Sequence, residues 1–75
     1  MNRENSIVSD PEIMFGKPII KGTREPVDLI LNKLAGGKSL EQILKSYPHL
    51  TSDDIYACLC YAAEIVNSIV VYEVD

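Results

Sequence analysis

Two helix-start signals of the same kind, twelve residues apart, constrain this 75-residue chain more than any other feature. Ser39 is followed three residues later by Gln42, and Thr51 is followed three residues later by Asp54. In such a capping box the first side chain accepts a hydrogen bond from the backbone of the later residue, and the later side chain accepts one in return. The sequence therefore predicts one helix that begins after Ser39 and another that begins after Thr51.

A further helix is predicted before these two. Pro26 suits its first residue, because the missing N–H is not needed there, and Gly36-Gly37 offers a left-handed cap at its end. The second helix should stop at Pro48. Apolar residues recur at helical spacing in both short helices, as Val27, Ile30, Leu31 and Leu34 in the first and Leu40, Ile43, Leu44 and Tyr47 in the second.

The third helix, predicted over residues 52–67, is apolar on nearly every side. A helix of this kind must be buried on more than one side, and two short helices can cover only one. We expect Tyr56, Cys60 and Tyr61 to face a second copy of the chain, in a homodimer, or another protein. The expected core face is Ile55, Leu59, Ala62 and Val66.

The two ends of the chain have β character. Ser6–Ser9 and Ile19-Ile20 suit short strands, so residues 6–26 are predicted to form a β arm. The tail, residues 68–75, alternates and places Val70, Tyr72 and Val74 on one side, where they could pair with the arm, a sister chain or a partner.

The predicted fold is a single, mostly α domain over residues 1–75. It has a three-helix core of the helix-turn-helix or homeodomain-like type over residues 27–67, with the short N-terminal β arm in front. A C-terminal strand is an option for the tail. A chain this short buries only about 60–65% of its unfolded surface, so a second subunit would add needed stability.

Charge is divided between the two halves of the chain. The arm segment 15–24 carries Lys17, Lys21 and Arg24 and no acid, although the net charge of the chain is −4. Residues 46–75 contain no Lys or Arg, and their acidic residues are Asp53, Asp54, Glu64, Glu73 and Asp75. This division favours two surfaces with different partners.

The arm is the candidate nucleic-acid contact, through Lys17, Lys21, Thr23 and Arg24. DNA affinity comes largely from Lys and Arg that displace counterions, and the acidic third helix is poorly suited to that role. Other interpretations stay open: the lysines could protect an exposed edge strand, Arg24 could pair with Glu25, Asp28 or another carboxylate, and Thr23 could close a turn.

No pattern in the sequence indicates catalysis. Cys58 and Cys60 point about 200° apart on a helix, and both are expected to be small buried side chains. His49, the only histidine, has no acid or nucleophile beside it in sequence. We therefore expect no enzyme activity, cofactor, metal or small-molecule substrate. Without a leader-like segment or an apolar run near 18 residues, we expect a cytoplasmic protein with reduced thiols and no membrane contact.

Several short motifs are together typical of one known family. They cover roughly residues 7–66 and read Gly16-Lys17-Pro18-x-Ile20-x-Gly22-Thr23-Arg24-x-Pro26-Val27, Leu34-Ala35-x-Gly37, Tyr47-Pro48-x-Leu50-Thr51 and Tyr56-Ala57. The chain thus resembles the bacterial domain-of-unknown-function family four-three-three, which is grouped with helix-turn-helix proteins. The resemblance implies a VapB-type antitoxin that neutralises a PIN-like ribonuclease toxin and binds its own promoter. One residue departs from the family pattern, since Glu25 stands where members usually carry an aliphatic residue.

Three hypotheses follow. The first is a dimeric antitoxin-like adaptor whose acidic, apolar C-terminal half holds the toxin while the arm contacts DNA. The second is a stand-alone DNA-binding transcriptional regulator. The third is a non-catalytic dimeric assembly module with neither role.

Overall fold

The three predicted helices and the N-terminal β arm are present. The structure, a computed structural model, describes residues 6–69. Its elements are β1 (Ile7–Val8), a short 3₁₀ helix (Met14–Gly16), β2 (Ile19–Ile20), α1 (Val27–Ala35), α2 (Leu40–Ser46) and α3 (Ser52–Ser68). The predicted C-terminal strand, with Val70, Tyr72 and Val74, lies outside the described residues.

Both capping boxes form as predicted. The backbone N–H of Gln42 donates to Ser39 Oγ at 3.1 Å, and the N–H of Ser39 donates to Gln42 Oε1 at 2.9 Å. The N–H of Asp54 donates to Thr51 Oγ1 at 3.3 Å, and the N–H of Thr51 donates to Asp54 Oδ2 at 3.0 Å. These bonds satisfy backbone donors that a helix start would otherwise leave unpaired, which fixes where α2 and α3 begin.

The ends of α1 match the prediction with one small difference. Pro26 is the N-cap, with an extended backbone, and not the first helical residue. At the other end Gly37 has a φ of +96°, and its N–H donates to the Leu34 carbonyl at 3.0 Å. The N–H of Lys38 donates to the Lys33 carbonyl at 3.0 Å. This pair of bonds is a Schellman motif, so the left-handed cap falls on the second glycine.

The β arm is part of the core and does not project from it. β1 and β2 pair antiparallel, with Ile7 opposite Ile20 and Val8 opposite Ile19. Ile19 and Ile20 are both buried, and full burial of such a side chain stabilises a fold by about 1.5–3 kcal/mol. The central cluster joins the arm to all three helices and consists of Ile20, Val27, Ile30, Ile43, Leu50, Ile55 and Cys58.

The predicted core face of α3 was wrong in part. Ile55 is buried as expected, but Leu59 and Val66 are exposed, and Ala57 and Cys58 are buried instead. Cys60, expected to be buried, is also exposed. Because α3 is apolar on nearly every side, its sequence pattern does not show which face is buried. Packing against β1, α1 and α2 decides it.

Candidate interaction surfaces

The basic segment ends in a tight hairpin whose tip is residues 21–24. The N–H of Ile20 donates to the Glu25 carbonyl at 3.0 Å, and the N–H of Thr23 donates to the Ile20 carbonyl at 3.0 Å. Gly22 has a φ of +81°, a backbone conformation that residues with a side chain rarely adopt. The Thr23 hydroxyl donates to the Ile20 carbonyl at 2.7 Å and accepts from the Glu25 N–H at 3.0 Å. Thr23 therefore closes the turn and holds the tip in one shape.

The three cations of this segment differ in their surroundings. Lys17 Nζ lies 3.0 Å from Asp28 Oδ2, an ion pair in which both side chains are about half exposed. Lys21 and Arg24 are exposed at the hairpin tip, and no carboxylate within residues 6–69 lies at ion-pair distance from either of them. The alternative pairing of Arg24 with Glu25 or Asp28 does not form. The hairpin tip thus presents two cations to solvent.

Glu25 and His49 form a contact that sequence reasoning missed. His49 Nε2 lies 3.1 Å from Glu25 Oε2, and the Tyr47 and His49 rings are nearly perpendicular, with their centroids 6.2 Å apart. The residues are 24 positions apart, so no local pattern could have paired them. The contact ties the hairpin to the turn between α2 and α3.

One side of α3 forms an exposed apolar surface, which we name the outer stripe. Tyr56, Leu59, Cys60 and Ala63 share one helical face and are all exposed, with Leu59 at 44% of its full accessibility. Asp53 and Glu64 lie three turns apart along one border of this face. The outer stripe is therefore apolar along its length and acidic along one edge.

A second apolar surface lies between α1 and the C-terminal half of α3. This α1–α3 groove has a volume of about 360 Å³. Val27 and Leu31 line it from α1, and Tyr61, Ile65 and Val66 line it from α3. The Lys17–Asp28 ion pair stands at its edge.

The predicted partner-contact residues of α3 therefore fall on two different surfaces. Tyr56 and Cys60 belong to the outer stripe, whereas Tyr61 is half-buried, packs against the core cluster and lines the α1–α3 groove. Cys58, which lies between Tyr56 and Cys60 in the sequence, is fully buried. Burial, together with the nearby charge of Asp54, raises the pKa of the Cys58 thiol to about 11. This thiol stays protonated at neutral pH.

Neither a metal site nor a membrane span is found in the described part of the chain. Among residues 6–69, no three His, Cys, Asp or Glu side chains come close enough to hold a metal ion. No helix within that range combines the length and the apolar character that crossing a bilayer requires.

Two known proteins are similar to this chain. The Uncharacterized protein y4eO of Sinorhizobium fredii (strain NBRC 101917 / NGR234) is 36% identical over 56 residues, which make up 75% of this chain and 25% of that protein. A member protein of DUF433 from Anabaena variabilis ATCC 29413, known from a crystal structure, is 30% identical with a TM-score of 0.77. That match covers 80% of this chain and 59% of the other. The chain thus spans about a quarter of the curated relative's length.

A match over most of the chain assigns this protein to a known family. Residues 7–62 match the family described as Protein of unknown function (DUF433), which is the family four-three-three that the motifs resemble. The matched range runs from β1 through most of α3 and includes the hairpin tip and the start of the outer stripe. The chain belongs to the DUF433 family.

Proposed function

We propose that this chain is a non-enzymatic, antitoxin-like adaptor that binds a PIN-like ribonuclease through the outer stripe of α3. The observation that carries the proposal is the exposure of Tyr56, Leu59 and Cys60 on one face, beside an acidic border. Apolar patches of this kind on soluble proteins usually mark interaction sites. The toxin role itself comes from the family resemblance.

Charge favours a basic partner. Asp53 and Glu64 border the outer stripe, and the chain as a whole carries a net charge of −4. A ribonuclease must attract an anionic substrate, so its substrate-binding surface is basic. Opposite charge raises the association rate and selects against acidic partners, and the apolar residues at the centre of the contact supply affinity.

The test uses a purified PIN-like ribonuclease encoded beside this chain and measures RNA cleavage against added adaptor. Leu59→Glu places a charge at the centre of the outer stripe and should weaken inhibition at least about tenfold. Asn32→Glu adds the same charge to an exposed position of α1 and should inhibit like the unchanged chain. Equal inhibition by both variants would refute the outer stripe as the contact, and no inhibition by the unchanged chain would refute the antitoxin role.

A second activity, contact with duplex DNA, is favoured by the two cations of the hairpin tip, which have no carboxylate partner among residues 6–69. Each phosphate contact contributes about 0.9 to the slope of log affinity against log salt. Lys21→Ala and Arg24→Ala should each reduce the slope by about this amount per bound arm. Lys17→Ala should change it less, because Lys17 is already paired with Asp28. A gel shift without duplex binding at low salt would exclude DNA binding and the stand-alone regulator with it.

A further inference from the structure

The C-terminal end of α3 carries three exposed apolar side chains beside α1. Ile65 and Val66 lie in the last turn of α3 and Ile69 is its C-cap; their side chains are 48%, 62% and 57% exposed. These three side chains, named here the α3 end, adjoin the α1–α3 groove, which Ile65 and Val66 also line.

We propose that a second copy of this chain occupies the α1–α3 groove, with each copy inserting its α3 end into the groove of the other. A two-fold contact requires one surface patch to be complementary to itself. Here a concave apolar groove and a convex apolar helix end lie side by side in one patch. A two-fold axis beside Val66 would place the α3 end of each copy against the groove of the other copy. A flat patch has no ridge and groove that could fit together in this way.

The charges at the edge of the α1–α3 groove favour a second copy of this chain over a different protein with a strong net charge. Lys17 and Asp28 contribute one cation and one anion there. Two such edges related by a two-fold axis can place the cation of one copy opposite the anion of the other. A strongly basic or acidic partner would find no net charge to match at this edge. The outer stripe differs, because its border is acidic only.

The size of the patch sets the strength of the dimer. Nine residues line the α1–α3 groove, and Ile69 brings the patch to ten residues on each copy, fewer than the roughly 20–30 residues a side of a standard interface. Specific interfaces of standard size bury about 800 Å² per partner. The dimer should therefore be small, mostly apolar and of micromolar affinity, and the outer stripe stays open in it.

The first test measures mass by light scattering at about 100 µM, well above a micromolar dissociation constant. The unchanged chain should give about twice 8.3 kDa. Ile65→Glu buries a charge in the apolar contact and should weaken the dimer about a hundredfold or more. Leu59→Glu is the matched control, on the same helix and similarly exposed, and should leave the dimer intact. Circular dichroism checks that both variants stay folded.

The second test does not depend on disrupting the contact. In a Cys60→Ser background, Val66→Cys should form a disulfide between copies when oxidised by copper–phenanthroline and oxygen. The unchanged chain, whose exposed Cys60 lies about 120° from Val66 around α3, should not. The proposal is overturned if the unchanged chain is a monomer at about 100 µM, or if Leu59→Glu dissociates the dimer and Ile65→Glu does not. It is also overturned if the chain dimerises only after residues 70–75 are removed, because its own tail would then fill the groove.

Discussion

The orientation of α3 can be tested through its two cysteines, and both proposed surfaces depend on it. Cys58 is fully buried in the core cluster, whereas Cys60, two residues later, is exposed on the outer stripe. A rotation of α3 that buried Leu59 would reverse or equalise this difference. The perturbation is a pair of single-thiol variants, in which Cys60→Ser leaves only Cys58 and Cys58→Ala leaves only Cys60.

Cys58 can react with a thiol reagent by two routes, in the folded state or in a transiently opened state, and both should be slow. In the folded state, the rise of its pKa from 9.0 to about 11 leaves about a hundredfold less reactive thiolate than an ordinary thiol has. In a transiently opened state the thiol is ordinary, but opening the core of so small a domain costs about 3–5 kcal/mol, which again lowers the rate at least about a hundredfold. Cys58 should therefore react at least about a hundred times more slowly than an exposed thiol.

The assay is the rate of reaction with Ellman's reagent at pH 8, measured on each variant by absorbance. In guanidinium chloride both thiols should react at similar rates, which controls for reagent and sequence context. In buffer, Cys60 should react quickly and Cys58 slowly. If folded Cys58 reacts within about tenfold of Cys60, the burial of Cys58 is wrong. The outer stripe and the α1–α3 groove would then have to be redrawn.

Further predictions concern stability, measured by urea unfolding. Gly37→Ala should destabilise the chain by about 1 kcal/mol, because φ is +96° at this position. Gly36→Ala should stay within about 0.5 kcal/mol, since its φ is −80° and an added Cβ would lie 3.4 Å from the nearest atom. Thr51→Ala should cost about 1 kcal/mol through loss of the α3 cap. Ile30→Ala, at a fully buried site, should cost about 2–5 kcal/mol and leave much of the protein unfolded. Equal effects at the two glycines would refute the left-handed cap.

The parts of the fold that were predictable from sequence depend on neighbours along the chain. The partner of Ser39 is three residues away, as is that of Thr51, so the sequence itself displays the interaction that starts each helix. The glycine cap at Gly37 is equally local. The short helices each carry one apolar face, and Val27 and Ile30 are buried as their spacing predicts. Local hydrogen bonding and one-sided amphipathicity therefore explain these successes.

The candidate site was less predictable because its contacts join distant parts of the chain. Lys17 and Asp28 are 11 residues apart, and their pairing separates one cation of the basic segment from the two at the hairpin tip. Glu25 reaches His49 across 24 residues. Such pairs depend on how the hairpin packs on the helices, and rules based on residue spacing do not predict this packing. The position of the basic segment could be predicted from the sequence. Which of its cations is paired with a carboxylate could not.

The two apolar surfaces of α3 have different causes, and this difference separates their proposed roles. The α3 end lies beside the open α1–α3 groove, so Ile65, which is on the same side of α3 as the buried Cys58, has no covering layer. The outer stripe is exposed because it faces away from the core along the whole helix. A surface that continues the core is suited to extending that core with a second copy, whereas an outward face with an acidic border is suited to a separate partner. Since Leu59 and Ile65 point in different directions from one rigid helix, dimerisation and partner binding can occur together, and substitutions at the two positions should affect them independently.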